Sequence, residues 1–132
     1  MVVSARAIHH FRPETITAFY ARAARAISPG GFLCNLDHFA APGDWRERYK
    51  RIKKSFVPKG PSTSEPHEHD SPPQRIGDHL RWLSDAGFEH PDVPWRMFWT
   101  ALLVARMPGE SSSTAAPTDS AGSAEPSTPV EP

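Results

Sequence analysis

The sequence predicts an α/β fold: part of a doubly wound sheet that ends in an antiparallel hairpin. A helical repeat runs into Pro29-Gly30-Gly31, and an apolar strand over residues 32–36 follows at once. Near the other end, two strand-like stretches, residues 88–95 and 97–106, leave little room for a helix between them. A direct link of this kind joins antiparallel neighbours, because parallel strands need a long crossover.

Composition limits the ordered part of the 132-residue chain to one domain, residues 1–107. Residues 108–132 are dominated by Ser, Thr, Ala and Pro, so a disordered tail is expected there. The formal net charge is zero, which favours neither nucleic acid nor a membrane surface as partner. With no apolar run long enough to span a bilayer, no membrane segment is expected. A single cysteine, Cys34, excludes an intrachain disulfide, is expected in the core, and fits a cytoplasmic protein.

The first half of the domain reads as strand, helix, strand. Residues 1–4 are short and β-branched, which predicts a buried strand. Pro13 suits the first position of a helix, and Gly30 with Gly31 can supply the positive φ that ends it. Residues 32–36 form an apolar run that indicates a strand covered on both faces. The helix carries one apolar stripe, formed by Ile16, Phe19, Tyr20, Ala23, Ala24 and Ile27.

The second half reads as helix, loop, helix and two strands. Asp44 is a candidate N-cap with Glu47 completing a capping box, and the helix after it is basic outside its apolar face. Residues 58–73 indicate a long loop, after which Ser71 can cap a third helix that ends at Gly87. The apolar face of the second helix consists of Trp45, Tyr49, Ile52 and Phe56, and the inward residues of the third are Ile76, Leu80, Trp82 and Leu83.

Four segments, residues 7–11, 20–31, 83–88 and 98–106, resemble class I S-adenosylmethionine-dependent methyltransferases in order and spacing. The resemblance covers about residues 1–108 and implies a partial Rossmann-like sheet that carries the family's strands four to seven. It implies S-adenosyl-L-methionine as cofactor and a small molecule as methyl acceptor. The family's glycine-rich cofactor loop and the acidic residue after its second strand are absent. The chain alone is therefore expected to be inactive.

The resemblance also assigns roles to residues that follow the predicted strands. In such folds, ligands bind outside the carboxyl ends of the strands, where a histidine can accept a proton from the acceptor or orient it. The alternative is that these polar residues are turn or strand-end residues satisfied by backbone or water. The expected catalytic residues are His9 and His10; the substrate-binding residues are Asp37, His38, Trp45 and His69; the cofactor-binding residues are Ala5 and Arg6.

Several other patterns leave alternatives open. Residues 67–70 contain ligand types for a metal but lack helical spacing and a second cluster, so a substrate lid is favoured and no metal is expected. Residues 45–54 could form a basic nucleic-acid face, but a solvated helix over the cleft is favoured. Four aromatic residues could stack on a planar substrate, although two of them are expected in the core. They are Trp82, Trp95, Phe98 and Trp99.

Two non-methyltransferase functions also remain. The first is a catalytically inactive remnant or interaction module, which would self-associate through the exposed edge of the strand at residues 2–5. The second is a metal-dependent hydrolase built on the histidines. The resemblance favours a methyltransferase over both, and the hydrolase is the weakest of the three; the sequence does not identify the methyl acceptor.

Overall fold

The computed structural model describes residues 1–56 and 71–109. They form four strands, three α-helices and one 3₁₀ turn over Ile8–His10, which follows the first strand. In chain order the elements are β1 (Val2–Ala5), α1 (Pro13–Ala26), β2 (Phe32–His38), α2 (Trp45–Phe56), α3 (Ile76–Asp85), β3 (Glu89–Met97) and β4 (Thr100–Arg106).

The strands form one mixed sheet in the order β1-β2-β4-β3. β1 and β2 are parallel, with Ala5 opposite Leu36. β2 and β4 are antiparallel, and β3 and β4 form an antiparallel hairpin in which Met97 lies opposite Thr100. The predicted α/β fold and its hairpin are confirmed. Because β1 and β2 run the same way, the segments that leave their carboxyl ends emerge at one edge of the sheet.

The core lies between one face of the sheet and the helices α1 and α3, which contact each other. Along β2 and β4, alternate side chains point into this core, as the two-residue period of a strand requires. Asn35 and Asp37 of β2 are polar residues on the buried side. The fully buried apolar side chains include Ile16, Tyr20, Leu33, Leu83, Ala101 and Leu103.

The end of α1 depends on two glycines for different reasons. Gly30 has a φ of 73°, as predicted, a left-handed conformation that glycine adopts without steric cost. Gly31 does not need a positive φ. A Cβ on Gly31 would instead lie 2.6 Å from Cγ2 of Ile27 and 2.9 Å from the carbonyl oxygen of Ser28. Only a residue without a side chain therefore fits at Gly31.

The described helices cover only one face of the sheet, so the expectation that β2 is covered on both faces is wrong for these residues. Phe32 is 42% exposed and Leu36 is 37% exposed. Cys34, on the same side of β2, is half-buried rather than in the core. An apolar run indicates that both faces of a strand can be buried, but it does not show that this chain contains the elements that cover both faces.

The third helix begins at Ile76, with Arg75 at its N-cap, and not at Ser71 as predicted. Pro72 and Pro73 explain the difference, because a residue that precedes proline is disfavoured in the helical region. The Ser71 hydroxyl bonds to the carbonyl of Pro72 instead. The helix ends as predicted, with Gly87 at a φ of 95°.

The second helix contacts the turn of the β3–β4 hairpin and has no fully buried residue. Its Tyr49 ring lies 5.5 Å from the ring of Phe98 and 6.3 Å from that of Trp99. Glu47 accepts a hydrogen bond from Nζ of Lys50 at 2.7 Å, on the outer side of the helix. Across both described stretches, every helix falls short of the length and apolar character that a membrane crossing needs.

Candidate active site

The Asp37 carboxylate is the centre of a polar cluster at the carboxyl ends of β1 and β2. Its Oδ2 accepts the backbone N–H of Ile8 at 2.8 Å and that of His9 at 3.1 Å. Its Oδ1 accepts the N–H of His38 at 2.8 Å and bonds to Nδ1 of His9. Asp37 is fully buried, so these four donors replace the water that a carboxylate would otherwise bind. The arrangement fixes the turn after β1 against the end of β2.

His9 is held by this carboxylate through its ring. Only 7% of the residue is exposed, and the Nδ1 contact orients the imidazole plane. When a carboxylate binds Nδ1–H of a neutral imidazole, Nε2 carries the lone pair. The rings of two further histidines lie beside it, with centroids 4.1 Å away for His10 and 5.0 Å away for His38.

His38 is held in its neutral form by its surroundings. Burial is the main cause that lowers the pKa of His38; a proton on the nearby His9 ring and the positive charge of Arg6 would each lower it further. The residue remains half-buried at the end of β2. It can therefore offer a neutral donor or acceptor to a bound molecule at physiological pH.

Beneath the cluster, two more polar side chains are buried in the core. The Tyr20 hydroxyl lies 2.7 Å from Nδ1 of His79. Burial, with the charge of Asp37, raises the pKa of Tyr20, so its O–H donates to the histidine. Burial lowers the pKa of His79 to about 4, which keeps that ring neutral.

His79 was not predicted as a buried polar residue, although a signal existed. It stands on the same helical stripe as Ile76, Leu80 and Leu83, at the spacing that faces the core.

A cleft of about 540 Å³ opens beside the cluster. His38 and Phe39 form its inner end, and the β3–β4 hairpin contributes Trp99 to one wall. Arg46 and Lys50 project from α2, whose spacing of four residues puts them on one face. The rest of the lining is small or apolar: Ala40, Ala41, Gly43, Pro72 and Pro73.

Arg6 leaves β1 in a left-handed conformation, with a φ of 52°. Its N–H donates to the carbonyl of Leu36 at 2.9 Å, which carries the β1–β2 pairing one residue past the strand. Ala5 and Arg6 are both exposed at this edge of the sheet. They remain predicted cofactor contacts.

The structure gathers most of the sequence-predicted residues but not all of them. Arg6, His9, His10, Asp37 and His38 lie around the carboxyl ends of β1 and β2. Asp37 lies behind His9, with no exposed surface for contact with a substrate, so its geometry is that of a positioning residue.

Trp45 is 43% exposed, packs against Tyr49 with ring centroids 5.7 Å apart, and does not line the cleft. His69 and the possible metal cluster at residues 67–70 lie outside the described residues. Within residues 1–56 and 71–109, no group of three His, Cys, Asp or Glu side chains is placed to hold a metal ion. Of the four aromatic residues set apart in the sequence, Trp82 packs against the core, whereas Trp95 is 46% exposed.

Comparisons with known proteins identify the fold. No known family's sequence model matches the chain, and no curated protein sequence matches it. Among solved structures, human N-acetylserotonin methyltransferase in complex with S-adenosylmethionine matches 80% of the chain with a TM-score of 0.58 and 15% identity. The S-adenosylmethionine-dependent methyltransferase SibL matches 81% with a TM-score of 0.57 and 21% identity. PigF with S-adenosylhomocysteine matches 80% with a TM-score of 0.55 and 14% identity.

The chain spans 28%, 30% and 29% of the lengths of these three proteins. At these identities the similarity concerns the fold, and it agrees with the resemblance found in the sequence. The chain therefore has the fold of part of a class I S-adenosylmethionine-dependent methyltransferase.

Proposed function

We propose that residues 1–107 are the C-terminal half of a methyltransferase domain whose His9 accepts a proton from a small-molecule methyl acceptor. The observation that carries this proposal is the contact between the buried Asp37 carboxylate and Nδ1 of His9. The contact lies at the carboxyl ends of two parallel strands, where sheets of this type bind their ligands. We also place the protein in the cytoplasm, because its one cysteine fits a reducing compartment.

The pair can perform general base catalysis. An acceptor hydroxyl or amine becomes a better nucleophile as its proton moves to Nε2 of His9. The resulting imidazolium is positive, and the adjacent Asp37 carboxylate stabilises it electrostatically. Because Asp37 is held by three backbone N–H groups, it does not have to reorganise when the charge develops.

The chain does not by itself fit the whole cofactor. In the mapping onto the family's strands four to seven, the glycine-rich cofactor loop belongs to an earlier strand, and residues 6–12, between β1 and α1, contain no glycine that could replace it. Ala5 and Arg6 are the residues we assign to the cofactor's edge. The methyl group comes from S-adenosyl-L-methionine in proteins of this fold, and we propose that the rest of its site lies in protein outside this chain's described residues.

The test uses the protein at its native length, isolated from its own cells. It is supplied with S-adenosylmethionine carrying a labelled methyl group and with a panel of phenols and amines. We expect labelled product, and about 10²–10⁴-fold slower transfer in His9→Gln, which has no proton-accepting ring. The matched control is His90→Asn, an exposed histidine at a φ of 49° on β3, where asparagine is tolerated. Equal rates for His9→Gln and His90→Asn would overturn the role of His9.

A second candidate function is that of an interaction module. In the described sheet β1 is an edge strand, and its Val3 side chain is 65% exposed. An open, apolar edge is a template for pairing with another chain. Sedimentation of the wild type and of Val3→Lys tests this: a dimer that the lysine abolishes supports edge pairing, and a monomeric wild type contradicts it.

A further inference from the structure

We propose that the cleft beside His38 binds an aromatic acid, with its carboxylate near Arg46 and Lys50 and its ring against Trp99. This inference rests on the proposed function, since it names the substrate class for that same site. A cleft of about 540 Å³ is in the size range of small-molecule sites. The charge, the apolar wall and the position of the cleft each support the proposal.

The charge at the cleft mouth is strongly positive. α2 carries six basic side chains and one acidic side chain, and Arg46 and Lys50 are the two basic residues that line the cleft. Within residues 1–56 and 71–109, no carboxylate lies at ion-pair distance from Arg46. A guanidinium binds a carboxylate through two parallel N–H groups, so Arg46 is the stronger of the two contacts.

Lys50 already has a partner, but a weak one. Its Nζ lies 2.7 Å from Oε1 of Glu47, and the two side chains are 47% and 72% exposed. Ion pairs in such contact with water contribute little stability. A ligand carboxylate in the cleft can therefore share or replace Glu47 at small cost.

The wall that the hairpin contributes suits an aromatic ring. Trp99 lines the cleft, and Lys53 of α2 lies with Nζ 5.1 Å from the Trp99 ring centroid. Phe98, the residue before Trp99, is held at a φ of 56°, a conformation that non-glycine residues rarely adopt. The hairpin thus directs a large planar side chain into the cleft. A flat ligand can stack on it with Phe39 at the inner end.

The position of the cleft connects the ligand to the proposed base. His38 lines the cleft, and its ring centroid is 5.0 Å from that of His9. A ring whose carboxylate lies at the α2 end therefore has its opposite edge near the histidines. A hydroxyl on that edge would face His38, with the ring of His9 lying directly beside it. A hydroxybenzoate has both features.

The experiment measures binding to the 132-residue chain without cofactor. Quenching of tryptophan fluorescence compares 4-hydroxybenzoate with its neutral amide, 4-hydroxybenzamide, at low salt. We expect the acid to bind at least tenfold more tightly than the amide. We expect Arg46→Gln to lose most of that preference. The control is Arg48→Gln, an exposed arginine of the same helix that lies over Trp45 and away from the cleft.

Three results would overturn the proposal. The first is equal affinity for the acid and the amide, and the second is an equal loss in Arg46→Gln and Arg48→Gln. The third is tighter binding of a short oligonucleotide, which would mean that the basic helix serves nucleic acid. Acid binding without methyl transfer by the native protein would contradict the proposed function alone. Methyl transfer to phenols without any preference for acids would contradict this inference alone.

Discussion

Asp37→Asn replaces a carboxylate by an amide of nearly the same shape inside the polar cluster. The carboxylate accepts on both oxygens, from Ile8 and His9 on Oδ2 and from His38 and the His9 ring on Oδ1. Asparagine has only one acceptor oxygen. If that oxygen keeps the two N–H groups of the turn, the amide NH₂ faces the N–H of His38, and a buried donor loses its partner.

The size of the effect follows from these contacts. An unsatisfied buried donor costs about 1–3 kcal/mol, and the remaining bonds lose the assistance of the charge. We therefore expect the free energy of unfolding to fall by about 3 kcal/mol. Urea titration followed by tryptophan fluorescence measures it. The control is Asp44→Asn, an exposed aspartate before α2, which should change stability by less than about 0.5 kcal/mol. A similarly small change in Asp37→Asn would refute the reasoning.

Three further predictions use the same titration. Gly31→Ala forces a Cβ to within 2.6 Å of a neighbouring side chain, so it should destabilise by about 1–3 kcal/mol. The control is Gly77→Ala in α3, where an added Cβ would have no atom within 4 Å, so this variant should be as stable as the wild type or more stable. Equal losses of stability in Gly31→Ala and Gly77→Ala would refute the steric argument. Because burial lowers the pKa of His79 from 6.5 to about 4, the unfolded chain binds more protons between these values, so stability falls as pH drops through that window. The loss attributable to His79 is about 3 kcal/mol, and the His79→Gln variant should not show it. If the free energy of unfolding falls equally with pH in the wild type and in His79→Gln, the loss does not come from His79. Arg6→Gly should stabilise by about 1 kcal/mol, because glycine adopts a positive φ without strain. A less stable Arg6→Gly variant would mean that the arginine side chain outweighs that strain.

Local patterns in the sequence were enough to predict most of the elements. Pro13 begins α1, and Gly30 and Gly87 take the positive φ expected after α1 and α3. The antiparallel hairpin of β3 and β4 followed from the short connection between them. Each of these features depends on residues close together in the chain, so the sequence carries the signal directly.

Contacts between distant residues were harder to predict. The histidine at position 9 and the aspartate at position 37 were each predicted in the site, yet their pairing spans 28 residues and depends on the parallel register of β1 and β2. Asp37 was therefore assigned to the substrate and not to the histidine. The exposed face of β2 was missed for a similar reason, since an apolar strand does not reveal which elements cover it.

The protonation of the His9 ring is the property on which the proposed chemistry depends most. Long-range ¹H–¹⁵N correlation spectra of the histidine rings measure it directly at pH 7.5, with Asp37→Asn to assign the signal. The proposed role requires a neutral ring at this pH, with its proton on Nδ1, facing Asp37, and a lone pair on Nε2. A proton on Nε2, in either the neutral or the doubly protonated ring, would contradict the role of His9 as the proton acceptor.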